Sequence, residues 1–433
     1  MDPARLNPAD HFTLTMDHEI RASGLAGNFC GVVLELDGVP DRDLVAQHCR
    51  QFVQRFPRSV ARLARRGRQY TWRDDGVAEL PFYSHALAEP GAAPRTREQL
   101  FLQILNRPAP ALEAAPVELH LVEQAGSSAL LLRWFHPLCD AKGAELLLHH
   151  LFQPDTAAAP AQPPALETLL NKWSLWEKAR LAWQAFGSIR ELDKQASILP
   201  VAAAPSAPAL GLKLVSLDQE QSARVMSQAV GHTGMTGISL YFIGCLMRAL
   251  EQTGSDATGD AYCVPYAMNL RRSKALYPLF GNQVSFLFAQ ASRRLVRSRE
   301  ALFTHLRDQN REAIRQRKDY AMLPLMQLGS WLTLQKHGRI VRDSPHGRER
   351  SSVWFSYTGD MYPEPTHIAG CPVTGLYQLS PVTLPPALCL LASRHAGRII
   401  LSYNYIEGCF NEEWLELLTQ AVTTELLGRK TAP

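Results

Sequence analysis

Apolar residues run almost uninterrupted along 29–36 (FCGVVLEL) and close on Asp37 and Gly38, and over 41–56 they recur at helical spacing. This pattern predicts a strand feeding an amphipathic helix. Further strands are expected at 68–72, 117–122 and 129–135, the last two joined as a hairpin across 124–127, with a helix at 141–151 directly after them. Between 153 and 212 the pattern breaks, because alanine and proline cluster at 157–164 and 200–208, where neither a helix nor a sheet interior continues. These clusters bracket 166–198, read as one amphipathic helix whose Trp173, Trp176, Leu181 and Trp183 lie among Lys172, Lys178, Arg180 and Arg190. It is expected to be a crossover packed on the protein, with peripheral contact to a lipid surface as the alternative.

The second half begins again with a strand at 211–216, helices at 218–230 and 236–252, and strands at 261–268 and 282–290. Helices at 299–318 and 323–335, a basic glycine-containing loop at 336–350, and strands at 353–357, 387–393 and 398–405 follow. A closing helix at 411–427 has Asn411 as its N-cap and Glu412 and Glu413 in its first turn. Each half therefore mixes a sheet with flanking helices. The expected fold class is α/β (α+β) in two lobes, 1–165 and 211–433, joined by a crossover and linker at 166–210. A length of 433 residues, 46% of them hydrophobic, suits two cores better than one.

The formal charge of +4 is too balanced for a protein that neutralises many phosphates along a nucleic acid. Eight scattered cysteines without C-x-x-C spacing are expected to be reduced thiols, with no structural zinc and no other metal site. The first residues lack an apolar signal core, and the longest apolar stretch, 237–247, is too short to cross a bilayer. A cytoplasmic protein without a transmembrane segment is expected.

The segment 130–151 carries the chemistry. His136 ends a buried strand, Asp140 follows four residues later, and Gly143 lies where a helix begins. A histidine leaving a strand can present its imidazole to a cavity and act as general base on a hydroxyl or amine. Neither a glycine-rich phosphate loop nor a serine nucleophile elbow occurs, and the adjacent His149 and His150 do not share a helix face.

With its flanks, this segment resembles the HHxxxDG motif of the chloramphenicol acetyltransferase-like superfamily, which includes condensation domains, wax ester synthases and polyketide-associated acyltransferases. Other segments agree in order. Leu36-Asp37-Gly38 through Arg55-Phe56-Pro57, then Tyr70-Thr71-Trp72, resembles the family's opening, and the run from Phe280 to Phe286 (FGNQVSF) resembles its "GN-x-(V/I)-S" strand. Ser356-Tyr357-Thr358-Gly359 stands where "SN-x-G" is common, and Leu401-Ser402-Tyr403-Asn404-Tyr405 resembles the penultimate strand. Phe135 replaces the first histidine, Ala141 replaces the glycine after Asp140, and Pro137 directly after the base is unusual. The D-F-G-W-G and S-x-A-Q-x-R signatures of plant acyltransferases and peptide-synthetase condensation domains are absent.

The resemblance implies two lobes around a tunnel, with a coenzyme A or phosphopantetheine thioester as co-substrate, donated as acyl-CoA or on an acyl carrier protein. The acceptor is an alcohol or amine. It makes His136 the catalytic base and Asp140 a structural residue paired with an arginine, for which Arg55, Arg58, Arg62 and Arg271 are the candidates. Asn282, Ser285, Ser356 and Thr358 are the candidate oxyanion donors or tunnel residues, and the basic stretches 58–73 and 336–350 could meet coenzyme A phosphates or a carrier protein. A free-standing acyltransferase is the expectation. The alternatives are a carrier-dependent condensation enzyme and a catalytically silent relative that binds a carrier or lipid.

Overall fold

The computed structural model describes residues 5–67, 69–74, 76, 79–87, 95–109, 111–113, 115–124, 126–153, 165–200, 205–254, 258–271, 278–361 and 365–429. The apolar run forms the strand Phe29–Asp37, and both of its faces are covered. Val32, Leu34 and Leu36 pack with Val45, Cys49 and Phe52 of the helix Arg42–Arg55 and with Leu147 and Leu148 of the helix Ala141–Phe152. Val33 joins Leu131 and Tyr377 in another cluster. Cover on two faces removes the polar alternation.

Phe29–Asp37 pairs antiparallel with Ser127–Phe135, placing Phe29 opposite Phe135. That strand hairpins onto Val117–Gln124, which runs parallel to the edge strand Phe82–Ala86. On its other side, Phe29–Asp37 pairs with Cys371–Leu379, extended by His367–Ile368. This six-stranded sheet therefore takes two strands from the segment expected to form the second lobe, and it crosses the linear division into 1–165, 166–210 and 211–433.

The second sheet has the order Trp354–Asp360, Leu388–His395, Arg398–Ile406, Leu210–Ser216. Leu390, Leu401 and Tyr403 pack with Val225, Leu246 and Leu250 and with Leu418 and Val422 of the closing helix Glu412–Leu426. Asn411 caps that helix, its side chain accepting from Trp414 N at 2.7 Å. A two-stranded ribbon, Ala261–Asn269 with Val284–Ser292, is tied beside this sheet. Cys263 N donates to Ser352 Oγ at 3.0 Å, and Ser352 N donates to Cys263 O at 2.7 Å.

Several sequence expectations need correction. The single helix at 166–198 is two, Ala165–Lys172 and Leu175–Leu192, because Ser174 and Glu177 form a capping box that starts a new helix. The helix expected at 323–335 runs instead over Lys318–Gly329. Part of the basic loop at 336–350 is the helix Leu334–Arg342, capped by Thr333. The strand expected from 282 starts at Val284, leaving Asn282 free of the ladder. Of the unforeseen helices, Pro8–Ala22 and Arg97–Leu105 both start with capping boxes, and a short one, Arg293–Arg297, precedes Arg299–Arg315. The cluster 157–164 and part of 200–208 lie outside the described residues, as do Arg68 and Ala125 of the expected strand and turn.

Among the described residues no single helix is long and apolar enough to cross a membrane. The bent pair Gln219–Thr233 and Met235–Gln252, turned by 106°, passes by length and composition; Val225, Leu246 and Leu250 from it are core residues of the second sheet. All eight cysteines are unpaired, and all but Cys371 are buried.

Candidate active site

The His136 loop is built by the strand before it and the helix after it. Ser127–Phe135 ends at its pairing with Phe29, and His136 N then donates to Asn28 O at 2.9 Å. Trp134 Nε1 reaches across the loop to Cys139 O at 3.0 Å. Asp140 caps the helix Ala141–Phe152, with Oδ1 accepting from Gly143 N at 2.7 Å. A Cβ on Gly143 would stand 1.9 Å from the carbonyl oxygen of Phe280, so glycine at this helical position permits a close backbone approach by the segment before Val284.

Arg271 is the arginine that pairs with Asp140. Its Nη1 lies 2.9 Å from Asp140 Oδ2, and Nη2 donates to Leu279 O at 3.0 Å and Gly281 O at 2.8 Å. Gln283 N donates to the same Asp140 oxygen at 2.8 Å. The other three candidates sit elsewhere: Arg55 over the Phe56 ring, Arg58 in the turn Pro57–Val60, and Arg62 opposite Arg73 in a hairpin. One carboxylate thus fastens the first lobe's loop to the 279–283 segment, and Lys142 Nζ, donating to Asp360 O at 3.0 Å, adds a second tie.

Asn282 lies on the other side of the loop. Its Nδ2 donates to His136 O at 3.0 Å, Pro137 O at 3.1 Å and Asp10 Oδ1 at 2.9 Å. Its donor group therefore braces the loop rather than offering itself to a substrate oxyanion. Ser285 Oγ donates to Asp319 O, and Thr358 Oγ1 donates to Ala392 O at 3.4 Å and lies 3.3 Å from Ser393 Oγ. Those hydroxyls too are engaged within the fold. Ser356, half-buried and paired in register with Leu391, is the one of the four whose side chain makes no hydrogen bond among the described residues.

His136 is half-buried, and its Nδ1 is enclosed without a hydrogen-bond partner among the described residues. Burial lowers its pKa from the ordinary 6.5. Its own carbonyl, the Asp140 carboxylate, Asn282 and the Cys139 backbone pull the other way and do not offset that burial. The result is an imidazole held neutral near pH 7, the form able to take a proton.

Sequence reasoning missed Asp10 and His11, on the helix Pro8–Ala22. Asp10 is buried against Asn282 and is pushed up to about 8 by that burial. His11 stacks on His337 with ring centroids 5.6 Å apart and meets the edge of Tyr70 at 6.5 Å. Burial, then the neighbouring His337, lowers His11 to about 4. His11 thereby joins the two basic stretches flagged in the sequence, since Tyr70 belongs to the hairpin Arg62–Arg66 with Gln69–Arg73 and His337 to the helix Leu334–Arg342. Arg65, Arg66, Lys336 and Arg339 are exposed there, whereas Arg342 is paired with Glu19 at 2.7 Å and Arg350 with Asp193 at 2.8 Å. The signal for the missing helix was Asn7-Pro8-x-Asp10, a cap, a proline at the first helical position and an acid at the third.

Among the described residues no group of three His, Cys, Asp or Glu side chains is placed to hold a metal. A cavity of about 450 Å³ is lined by Tyr83, His85, Arg107 and His120, and no residue of the His136 loop borders it.

No sequence-family model matches the chain, and comparison with curated protein sequences also finds no match. The fold, however, is shared with solved structures of an acetyltransferase and of condensation domains over nearly the whole chain. The chain superposes on trichothecene 15-O-acetyltransferase from Fusarium sporotrichioides with a TM-score of 0.72 and 13% identity, covering 98% of this chain and 95% of that one. Polyketide synthase associated protein 5 from Mycobacterium tuberculosis gives 0.66 and 14% over 98% of both chains. The starter condensation domain of rhizomide synthetase, solved as a mutant in complex with C8-CoA, gives 0.68 and 12% over 98% and 94%.

Proposed function

We propose that this chain is an acyltransferase that moves an acyl group from a coenzyme A or carrier-protein thioester to a hydroxyl or amine, with His136 as general base. The observation that carries the reading is the half-buried His136, its pKa lowered by burial, on a loop braced by Asn282, Gln283 and Arg271. Structural likeness to an acetyltransferase and to a condensation domain solved with C8-CoA supports the reaction class.

In this mechanism the acceptor's O–H or N–H gives its proton to His136 Nε2 as the oxygen or nitrogen attacks the thioester carbonyl. The tetrahedral intermediate collapses with cleavage of the C–S bond, and the imidazolium returns the proton to the departing thiolate. No covalent enzyme intermediate is required. Ser356 is the remaining candidate for an oxyanion donor, because its hydroxyl makes no hydrogen bond among the described residues. The exposed Arg65, Arg66, Lys336 and Arg339 suit the phosphates of coenzyme A or phosphopantetheine. A cytoplasmic setting agrees with eight unpaired cysteines.

The test is to follow thiol release from acyl-CoA and from acyl carrier protein with a panel of alcohols and amines. His136→Ala is expected to lower turnover by about 10²–10⁴-fold. Wild-type turnover in that variant would overturn the assignment.

A further inference from the structure

The helix Leu175–Leu192 buries Leu181, Ala182 and Ala185 and turns the opposite stripe outward. Trp176 is 86% exposed, Trp183 74% and Phe186 47%, with Leu175 84% exposed at the start of the helix. Trp176, Ala179, Arg180, Trp183, Phe186, Gly187 and Arg190 are spaced i, i+3, i+4, i+7, i+10, i+11 and i+14 and are all exposed, so they form one face. No acid lies on it. Large aromatic side chains in water at this density are unfavourable unless something covers them.

The surroundings say what that cover is. Gln184 Nε2 donates to Gln316 O at 2.6 Å, which brings the junction of the helices Arg299–Arg315 and Lys318–Gly329 alongside. That junction adds exposed Ile314 to the apolar surface and exposed Arg317 to the charge. Arg180, Arg190 and Arg317 form no ion pair among the described residues. The stripe interleaves tryptophan with arginine. This is the chemistry of a helix lying in a headgroup layer, where indole rings sit at the interface and guanidinium groups meet phosphates.

We propose that the outward stripe of Leu175–Leu192, with the Ile314–Arg317 junction beside it, seats the protein on an anionic phospholipid surface. The inference is independent of the catalytic reading, because it uses none of the residues around His136.

The test uses the full chain with vesicles of phosphatidylcholine alone and of phosphatidylcholine containing phosphatidylglycerol. Wild type is expected to co-sediment with the anionic vesicles, releasing as salt rises, and its tryptophan emission to be quenched by bromine-labelled lipid. W176S/W183S should weaken partitioning by about tenfold or more, and R180E/R190E should abolish the preference for the anionic lipid. Thiol release from a water-soluble acyl donor should be unchanged in both variants. Absence of wild-type binding at low salt would overturn the proposal, as would unquenched emission, which reads the wild type and does not depend on how a variant folds. So would W176S/W183S turning a dimer into a monomer without changing vesicle binding, since a second copy would then be the cover.

Discussion

Asp140 and Arg271, 131 residues apart in the chain, meet at 2.9 Å with their side chains almost wholly enclosed. Every oxygen of the carboxylate is engaged: Oδ1 by Gly143 N, and Oδ2 by Gln283 N as well as the guanidinium. Removing one partner leaves the other charge buried alone. Arg271→Gln is expected to lower the unfolding free energy by about 3–5 kcal/mol, read from urea denaturation. Asp140→Asn/Arg271→Gln should cost less than the two single changes combined, because neither buried charge remains.

Gly143→Ala sets two effects against each other. In an ordinary helix interior the change stabilises by about 1 kcal/mol. Here the new methyl would stand 1.9 Å from Phe280 O and 2.9 Å from Cys139 Cβ, and a backbone carbonyl cannot swing aside as a side-chain tip can. Overpacking prevails, so a loss of about 1–3 kcal/mol is expected in the same urea measurement. An increase in stability would show that the two segments do not approach this closely.

His136 loses its basicity only when protonated, and burial lowers its pKa from 6.5. The neutral form, which the proposed base role requires, therefore persists to lower pH than for a histidine in water. The acid limb of kcat/KM against pH should therefore fall below pH 6.5, with one proton lost on the rising side. A limb centred at or above that value would mean that the ring is solvated when substrate binds.

The His136 loop was legible in the sequence because its signal is local, a buried strand, a histidine, a capping aspartate and a helix. The arginine partner was not, since the choice among Arg55, Arg58, Arg62 and Arg271 depends on which distant segment folds against the loop. The helix Pro8–Ala22 escaped for a different reason. Its buried face includes His11 and four polar residues held by hydrogen bonds, Asp10, Thr13, Thr15 and Asp17, the last with Oδ1 accepting from Asn28 N at 2.7 Å, so a search for apolar periodicity passes over it. Cys371–Leu379 was hidden by Pro372 and Gly375 within the strand, which read as breakers until the edge of the first sheet is seen to need it.

Asp10 gives a pH-dependent test of the brace behind His136. Its carboxyl is raised from 3.8 to about 8, chiefly by burial, with Asn282 and the Asn7 backbone opposing. A raised acid favours folding most when protonated in both states, so its contribution is complete below pH 3.8, declines as pH rises, and is gone above about 8. Asp10→Asn cannot ionise. It keeps an oxygen for Asn282 Nδ2 but turns an amide toward Asn7 N, which now donates to Asp10 Oδ2 at 2.9 Å. The variant should thus start less stable than wild type in acid, by about 0.5–2 kcal/mol for the lost cap bond. It should then gain on wild type as pH rises through that window. Urea midpoints for both proteins across the range measure the difference, and parallel curves would show that the Asp10 pKa is not raised in the folded protein.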